Sequence, residues 1–175
     1  MKIIYLILSF LLFGCGQIHV NDYENNEPKL ILEEFFEGKL TASGILKDSK
    51  GLVTRYFNVK IQASWKDGVG TLDEDFIFDD GEQQKRIWTL KKISENKYEA
   101  SAGDIKHKTI IDVSGNSMFM EYILIVPYKD STIDITIDDR MYLVNKNTLI
   151  NESSMTKFGF NVGEINLVIQ HANYK

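Results

Sequence analysis

The chain has 175 residues, with 20 Lys+Arg against 25 Asp+Glu for a net charge of −5, and a single Cys. An acidic chain without a basic stripe is a poor partner for nucleic acid or anionic lipid headgroups, because both need Lys and Arg to neutralise phosphates. One Cys leaves no internal disulfide and no Cys-based zinc site, and the length suits one domain with a substantial core.

Lys2, the apolar run Ile3 to Phe13 and the small residue Gly14 have the layout of a secretory signal peptide over residues 1–14. The run is too short to span a bilayer, which takes about 20 apolar residues. Leu12-Phe13-Gly14-Cys15 resembles the bacterial lipobox, in which the Cys is lipidated and becomes the first residue after cleavage. Each acyl CH₂ buried in lipid contributes roughly 0.8 kcal/mol, so the two or three chains that such a Cys carries would hold the protein on the membrane permanently. Gly16 follows Cys15 instead of Asp, which by resemblance to enterobacterial sorting implies an outer-membrane lipoprotein facing the periplasm. Residues 15–28 are polar and aperiodic and read as a tether from lipidated Cys15, leaving residues 29–175 as a single domain. After Pro28, Leu30 to Phe36 predicts one short helix, with Leu30, Leu32, Phe35 and Phe36 available to plug a core.

From Lys39 onward apolar and polar residues alternate, and turn clusters recur: Asp48 to Gly51, Lys66 to Gly68, Asp79 to Gly81, Ser94 to Asn96, Ser114 to Asn116, Lys129 to Ser131 and Asn145 to Asn147. Period two interrupted by such turns predicts strands joined by hairpins, about ten of them, more than a flat sheet of this size keeps open. Closure removes the exposed edges, and no crossover-helix pattern is present, so the fold class is all-β, an antiparallel up-and-down β-barrel with a short N-terminal helix.

Parity then assigns faces. Phe57, Val59, Ile61, Ala63 and Trp65 point inward from one strand; Leu72, Glu74, Phe76 and Phe78 from the next, which sets a carboxylate on an apolar face. Arg86 shares the face of Trp88 and Leu90, and Asp104 that of Tyr98, Ala100 and Ala102. Closing the hairpin at Asp80 symmetrically sets Glu74 opposite Arg86 and Leu72 opposite Trp88. Centring the next on Glu95 sets Arg86 opposite Asp104, Trp88 opposite Ala102 and Leu90 opposite Ala100. The expected result is one interior row, Glu74, Arg86 and Asp104, with a five-donor guanidinium between two carboxylates. The same counting sets Met118, Met120 and Tyr122 against Met141, Asp139 and Ile137, and Asp139 against Ser153, as a second polar spot.

Three readings of the interior charges compete. They are a buried ion network that fixes register, an Arg86 anchor for a carboxylate headgroup in an apolar cavity, or an acid and base pair doing catalysis. Asp73, Asp75, Asp79, Asp80 and Glu82 do not have the calcium-loop spacing and read as solvated acids. His19, His107 and His171 are scattered surface imidazoles, and Met118, Met120, Met141 and Met155 are core filler. There is no nucleophile elbow, phosphate loop or dinucleotide fingerprint, and no metal or cofactor is implied.

A succession of motifs running from the lipobox almost to the C-terminus resembles the bacterial lipoprotein family known as domain of unknown function 3833. It comprises Phe36-x-Gly38, Gly44, Gly51, Leu72-x-Glu74-Asp75-Phe76, Asp80-Gly81, Arg86-x-Trp88, Asp104, Gly115-Asn116 and Tyr122. Asp138-Asp139-x-Met141-Tyr142, Lys157-Phe158-Gly159 and Val162-Gly163-Glu164 complete it. Arg140 stands where the family pattern has Trp, and Lys106-His107-Lys108 where it has small residues. Phe36-Glu37-Gly38-Lys39-Leu40 is similar, more loosely, to the segment that opens a calycin or lipocalin barrel. The resemblance implies a body plan and an address rather than a reaction, and the family's frequent genomic proximity to enzymes that modify fatty acids implies a lipid ligand. The expected function is a non-enzymatic, membrane-tethered barrel that binds or shuttles a small hydrophobic molecule such as a fatty acid. Arg86, Glu74, Trp88, Asp104, Tyr122, Asp139 and Met141 are then the ligand-binding candidates. A structural or partner-binding envelope lipoprotein with a filled barrel, and a lipid-modifying enzyme using its interior carboxylates, are the alternatives.

Overall fold

The runs of period-two alternation become ten strands in the computed structural model, which describes residues 17–172; the signal-like segment and Cys15 lie outside the described residues. The strands are β1 (Gly38–Asp48), β2 (Val53–Lys66), β3 (Val69–Phe78), β4 (Gln83–Ser94), β5 (Lys97–Ser101), β6 (Thr109–Ser114), β7 (Ser117–Tyr128), β8 (Ser131–Asn145), β9 (Thr148–Lys157) and β10 (Phe160–His171). Each pairs antiparallel with the next, and β1 pairs with β10, so the sheet closes into a barrel without an open edge. The expected inward faces are the buried ones: Phe57, Val59, Ile61 and Ala63 of β2, Leu72 of β3, and Trp88 and Leu90 of β4. Gly81 (φ 86°) takes the left-handed conformation that closes the β3–β4 hairpin. That turn fixes Glu74 opposite Arg86 and Leu72 opposite Trp88, the pairs predicted from symmetry.

One end of the barrel is sealed. The short helix α1 (Leu32–Phe35) is narrower than its predicted span, but Leu30, Leu32, Phe35 and Phe36 are all at most 4% exposed and pack into the end where β1 begins. The Trp65 indole N–H donates to the Phe36 carbonyl at 2.8 Å, Lys92 meets Glu33 at 2.5 Å, and the Tyr98 hydroxyl donates to the same carboxylate. His171, read as a surface imidazole, lies edge-on to Phe35 with ring centroids 5.3 Å apart.

Two segments differ from expectation. Within the stretch read as a tether, Val20–Tyr23 forms a 3-10 turn, and the Tyr23 ring packs on Phe119 and Tyr142 at 5.7 and 5.4 Å. The chain is therefore docked on the barrel wall from there onward, through single aromatic contacts that no periodicity announces. Gly115 (φ 57°) is required at this contact, because a Cβ there would fall 1.7 Å from the Tyr23 carbonyl oxygen. The second difference lies after β5. Leu90 does face Ala100, but the strand stops at Ser101, and the predicted Trp88–Ala102 and Arg86–Asp104 ladder positions are not formed. The chain crosses early to β7, where the Ile125 amide donates to the Asp104 carbonyl at 2.8 Å and the Lys106 amide to the Ile123 carbonyl at 2.9 Å. Asp104 thus sits in a turn beside the lumen, not on a strand.

Candidate functional site

The inward residues of the closed sheet do not fill it. A cavity of about 450 Å³ runs from the middle of the barrel toward the end opposite the plug, where Arg55, Phe78, Val126, Ile133 and Val162 line it. Its walls are mostly aliphatic and aromatic, because nearly every inward position of β1, β2, β7, β8 and β10 carries such a side chain. Counting along β4 gives the depth: Leu90 lies near the plug, then come Trp88, Arg86 and Gln84 at successive inward positions toward the mouth.

The polar fixtures converge at mid-depth. Arg86 donates from Nε to Asp104 Oδ2 at 2.9 Å, and its Nη2 lies 2.8 Å from the same oxygen. The guanidinium was expected to bridge two carboxylates; it bonds one. Glu74 faces it across the β3–β4 ladder, yet among the described residues its carboxyl makes no hydrogen bond and no ion pair within 4.0 Å. Asp139, 4% exposed, accepts from Ser153 Oγ at 3.0 Å, from the Asn151 amide, and at 3.5 Å from the Tyr122 hydroxyl. The registers that produce this, Met120 opposite Asp139 and Asp139 opposite Ser153, are those expected. Tyr122 in turn lies edge-on to Trp88 with centroids 5.4 Å apart.

The two polar spots read separately from the sequence act as one electrostatic group. Burial pushes the Glu74 carboxyl up to about 7; the Arg86 charge opposes this, while Asp139, Asp104 and Asp73 add to it. Burial likewise raises Asp139 to about 6, against the hydrogen bonds from Asn151 and Ser153 and the charge of Arg86. Tyr122 is pushed well above its ordinary value by burial and then by Asp139, so its hydroxyl keeps its proton. Two carboxyls that titrate near neutrality thus face a lumen in which, among the described residues, Arg86 is the one mid-depth cation and is already paired with Asp104.

Of the seven residues singled out from the sequence, Glu74, Arg86, Trp88, Asp139 and Met141 line the cavity. Asp104 and Tyr122 stand behind that lining and hold members of it. Parity extended two residues back from Phe57 would also have found Arg55, which lies at the mouth. Its guanidinium sits 3.8 Å over the Phe78 ring and bonds Asp80 at 2.8 Å and Glu82 at 2.9 Å. Two acids read as merely solvated therefore hold a mouth arginine. The positions that depart from the family pattern are occupied on the outer surface: Arg140 bonds Asp138, Lys106 bonds Asp134 and Lys108 bonds Glu99.

With this geometry in place, comparison with known proteins gives a family and a fold. The profile described as "Protein of unknown function (DUF3833)" matches residues 9–171. No curated protein matches the sequence. Among solved structures, an S-type phycobiliprotein lyase from Guillardia theta superposes with a TM-score of 0.60 at 12% identity, covering 83% of this chain and 94% of its own. A redesigned β-barrel, mFAP1, bound to DFHBI, gives a TM-score of 0.41 at 8% identity, covering 79% of this chain and 97% of its own. The similarity to the lyase establishes a shared calycin-like barrel, and at that identity it establishes the fold alone.

Proposed function

The chain belongs to the DUF3833 family of proteins of unknown function, and from that premise we propose that its barrel binds a small, elongated hydrophobic molecule. The ligand's apolar part occupies the mouth half of the lumen and its polar end reaches Arg86. The observation that carries this reading is the cavity itself. About 450 Å³ enclosed by apolar walls, with a few polar groups gathered at one depth, is the composition of a small-molecule site, for which 300–1,000 Å³ is usual. A barrel acting purely as a scaffold would gain stability by filling that space, because unfilled apolar volume forfeits packing.

Native mass spectrometry of protein purified from its own host should show an adduct that extracts into organic solvent. Val126→Trp, which directs an indole into the mouth half of the lumen, should abolish that adduct without lowering the melting temperature. An unliganded wild-type spectrum, or an adduct that survives Val126→Trp, would count against the lumen as the site.

Lipidation at Cys15 would keep such a carrier at the outer membrane, facing the periplasm, with the barrel held close to a lipid source. Cys15→Ser is expected to move the protein from the membrane pellet to the soluble fraction. Unchanged sedimentation with the membranes would refute the anchor and leave the lumen reading untouched.

A further inference from the structure

We infer that the lumen binds a long-chain carboxylic acid with the uptake of one proton onto Glu74. This rests on the lumen-binding reading above and names the ligand class. Charged and titratable groups face Glu74 from several strands. From β4 comes Arg86, from the turn after β5 Asp104, from β7 Tyr122 and from β8 Asp139. β9 contributes the neutral Asn151 and Ser153, and the lumen side chains of β1 and β10 at this depth are apolar, as is Ile61 of β2. Asp73, the neighbour of Glu74 on β3, turns outward to Lys85 at 2.6 Å. Arg55 is held at the mouth by Asp80 and Glu82. Among the described residues, one mid-depth cation therefore faces three carboxyl groups.

Arg86 spends Nε and Nη2 on a single oxygen of Asp104, and among the described residues its other N–H donors have no partner. That leaves the geometry for a second carboxylate. With all three lumen acids ionised, however, the newcomer would be a fourth anion around one guanidinium in apolar walls. One acid must be neutral in the complex, and the structure singles out which. Asp104 is ion-paired with Arg86, and Asp139 accepts hydrogen bonds from three side chains, which favour the ionised form of Asp139. Glu74 has neither. Once protonated it ceases to repel and becomes an O–H donor beside Arg86. Burial holds this carboxyl near neutrality, so the proton is available there.

Calorimetric titration with dodecanoate, dodecanol and dodecylamine between pH 6 and 8.5 tests this. Buffers of different ionisation enthalpy count the protons. The acid should take up close to one proton per molecule at pH 8, and its Kd should rise about tenfold per pH unit above pH 7.5, while the alcohol shows no pH dependence. Glu74→Gln should flatten the acid's pH profile while retaining binding. A proton count near zero with wild-type protein overturns the inference without any variant. Alcohol binding beside a flat acid profile overturns it while leaving the lumen as a ligand site. Failure of all three compounds to bind overturns both.

Discussion

Arg86→Met is expected to lower the free energy of unfolding by about 3 kcal/mol at pH 8 and by less than half of that at pH 5. The substitution keeps an unbranched stem against Phe76 and Trp88, whose rings lie 5.6 and 5.9 Å from the guanidinium carbon, and removes the charge together with the hydrogen bond to Asp104. At pH 8 Glu74 and Asp139 must then either ionise beside Asp104 without the Arg86 charge or hold a proton against the solution. Breaking a buried pair by removing one partner typically costs 3–5 kcal/mol. The lower end applies because Asp104 keeps 38% of its side chain exposed, although its Oδ1 is buried without a partner. At pH 5 Glu74 and Asp139 are protonated in the fold, and only Asp104 loses a partner. Urea unfolding at the two pH values measures the difference. Equal losses at both would mean that Arg86 contributes through packing, and no loss at either would mean that lumen water replaces it.

The barrel was legible because hairpin closure is local arithmetic. Where a two-residue parity and a short turn are both visible, as at Asp79-Asp80-Gly81, register follows, and Glu74 opposite Arg86 was found on that basis. The arithmetic fails where the chain leaves the ladder. Asp104 was predicted as the strand partner of Arg86; it does bond Arg86, but from a turn whose backbone pairs with Ile125, a contact between segments distant in sequence. Parity also says which face a side chain occupies and nothing about its reach. It could not show that Glu74 would stay unbonded while facing Arg86, nor that Asp139 would join the same electrostatic group from across the lumen. Arg55 is the opposite case: parity places it on the inward face of β2, and only its distance along the strand from Phe57 shows that it lies at the mouth. Cavity volume depends on how side chains from ten strands meet, which no strand encodes by itself.

The same charges make the empty protein an acid-stabilised fold, and this is measurable without any ligand. Glu74 rises from 4.5 in its ordinary state to about 7 in the fold, and Asp139 from 3.8 to about 6. Both are cases in which the folded state holds its proton to higher pH than the unfolded chain does. Their contribution to stability is therefore greatest below the ordinary values and falls as pH rises through the folded ones, with Asp139 responsible up to about pH 6 and Glu74 up to about pH 7. At about 1.4 kcal/mol per unit, Glu74 alone accounts for a loss on the order of 3 kcal/mol between pH 4.5 and 8. The exposed acids held low by partners, such as Asp80 and Glu82 beside Arg55, gain their stabilising effect below pH 5, outside the interval from 5 to 8. Wild-type protein should melt lower at pH 8 than at pH 5.5, and Glu74→Gln should remove most of that decline. Because Arg86 opposes the ionisation cost of Glu74, combining Glu74→Gln with Arg86→Met should cost less than the two effects added, by about 1 kcal/mol or more at pH 8. Strict additivity would mean that the two side chains do not feel one another, and the lumen charges would then be solvated independently.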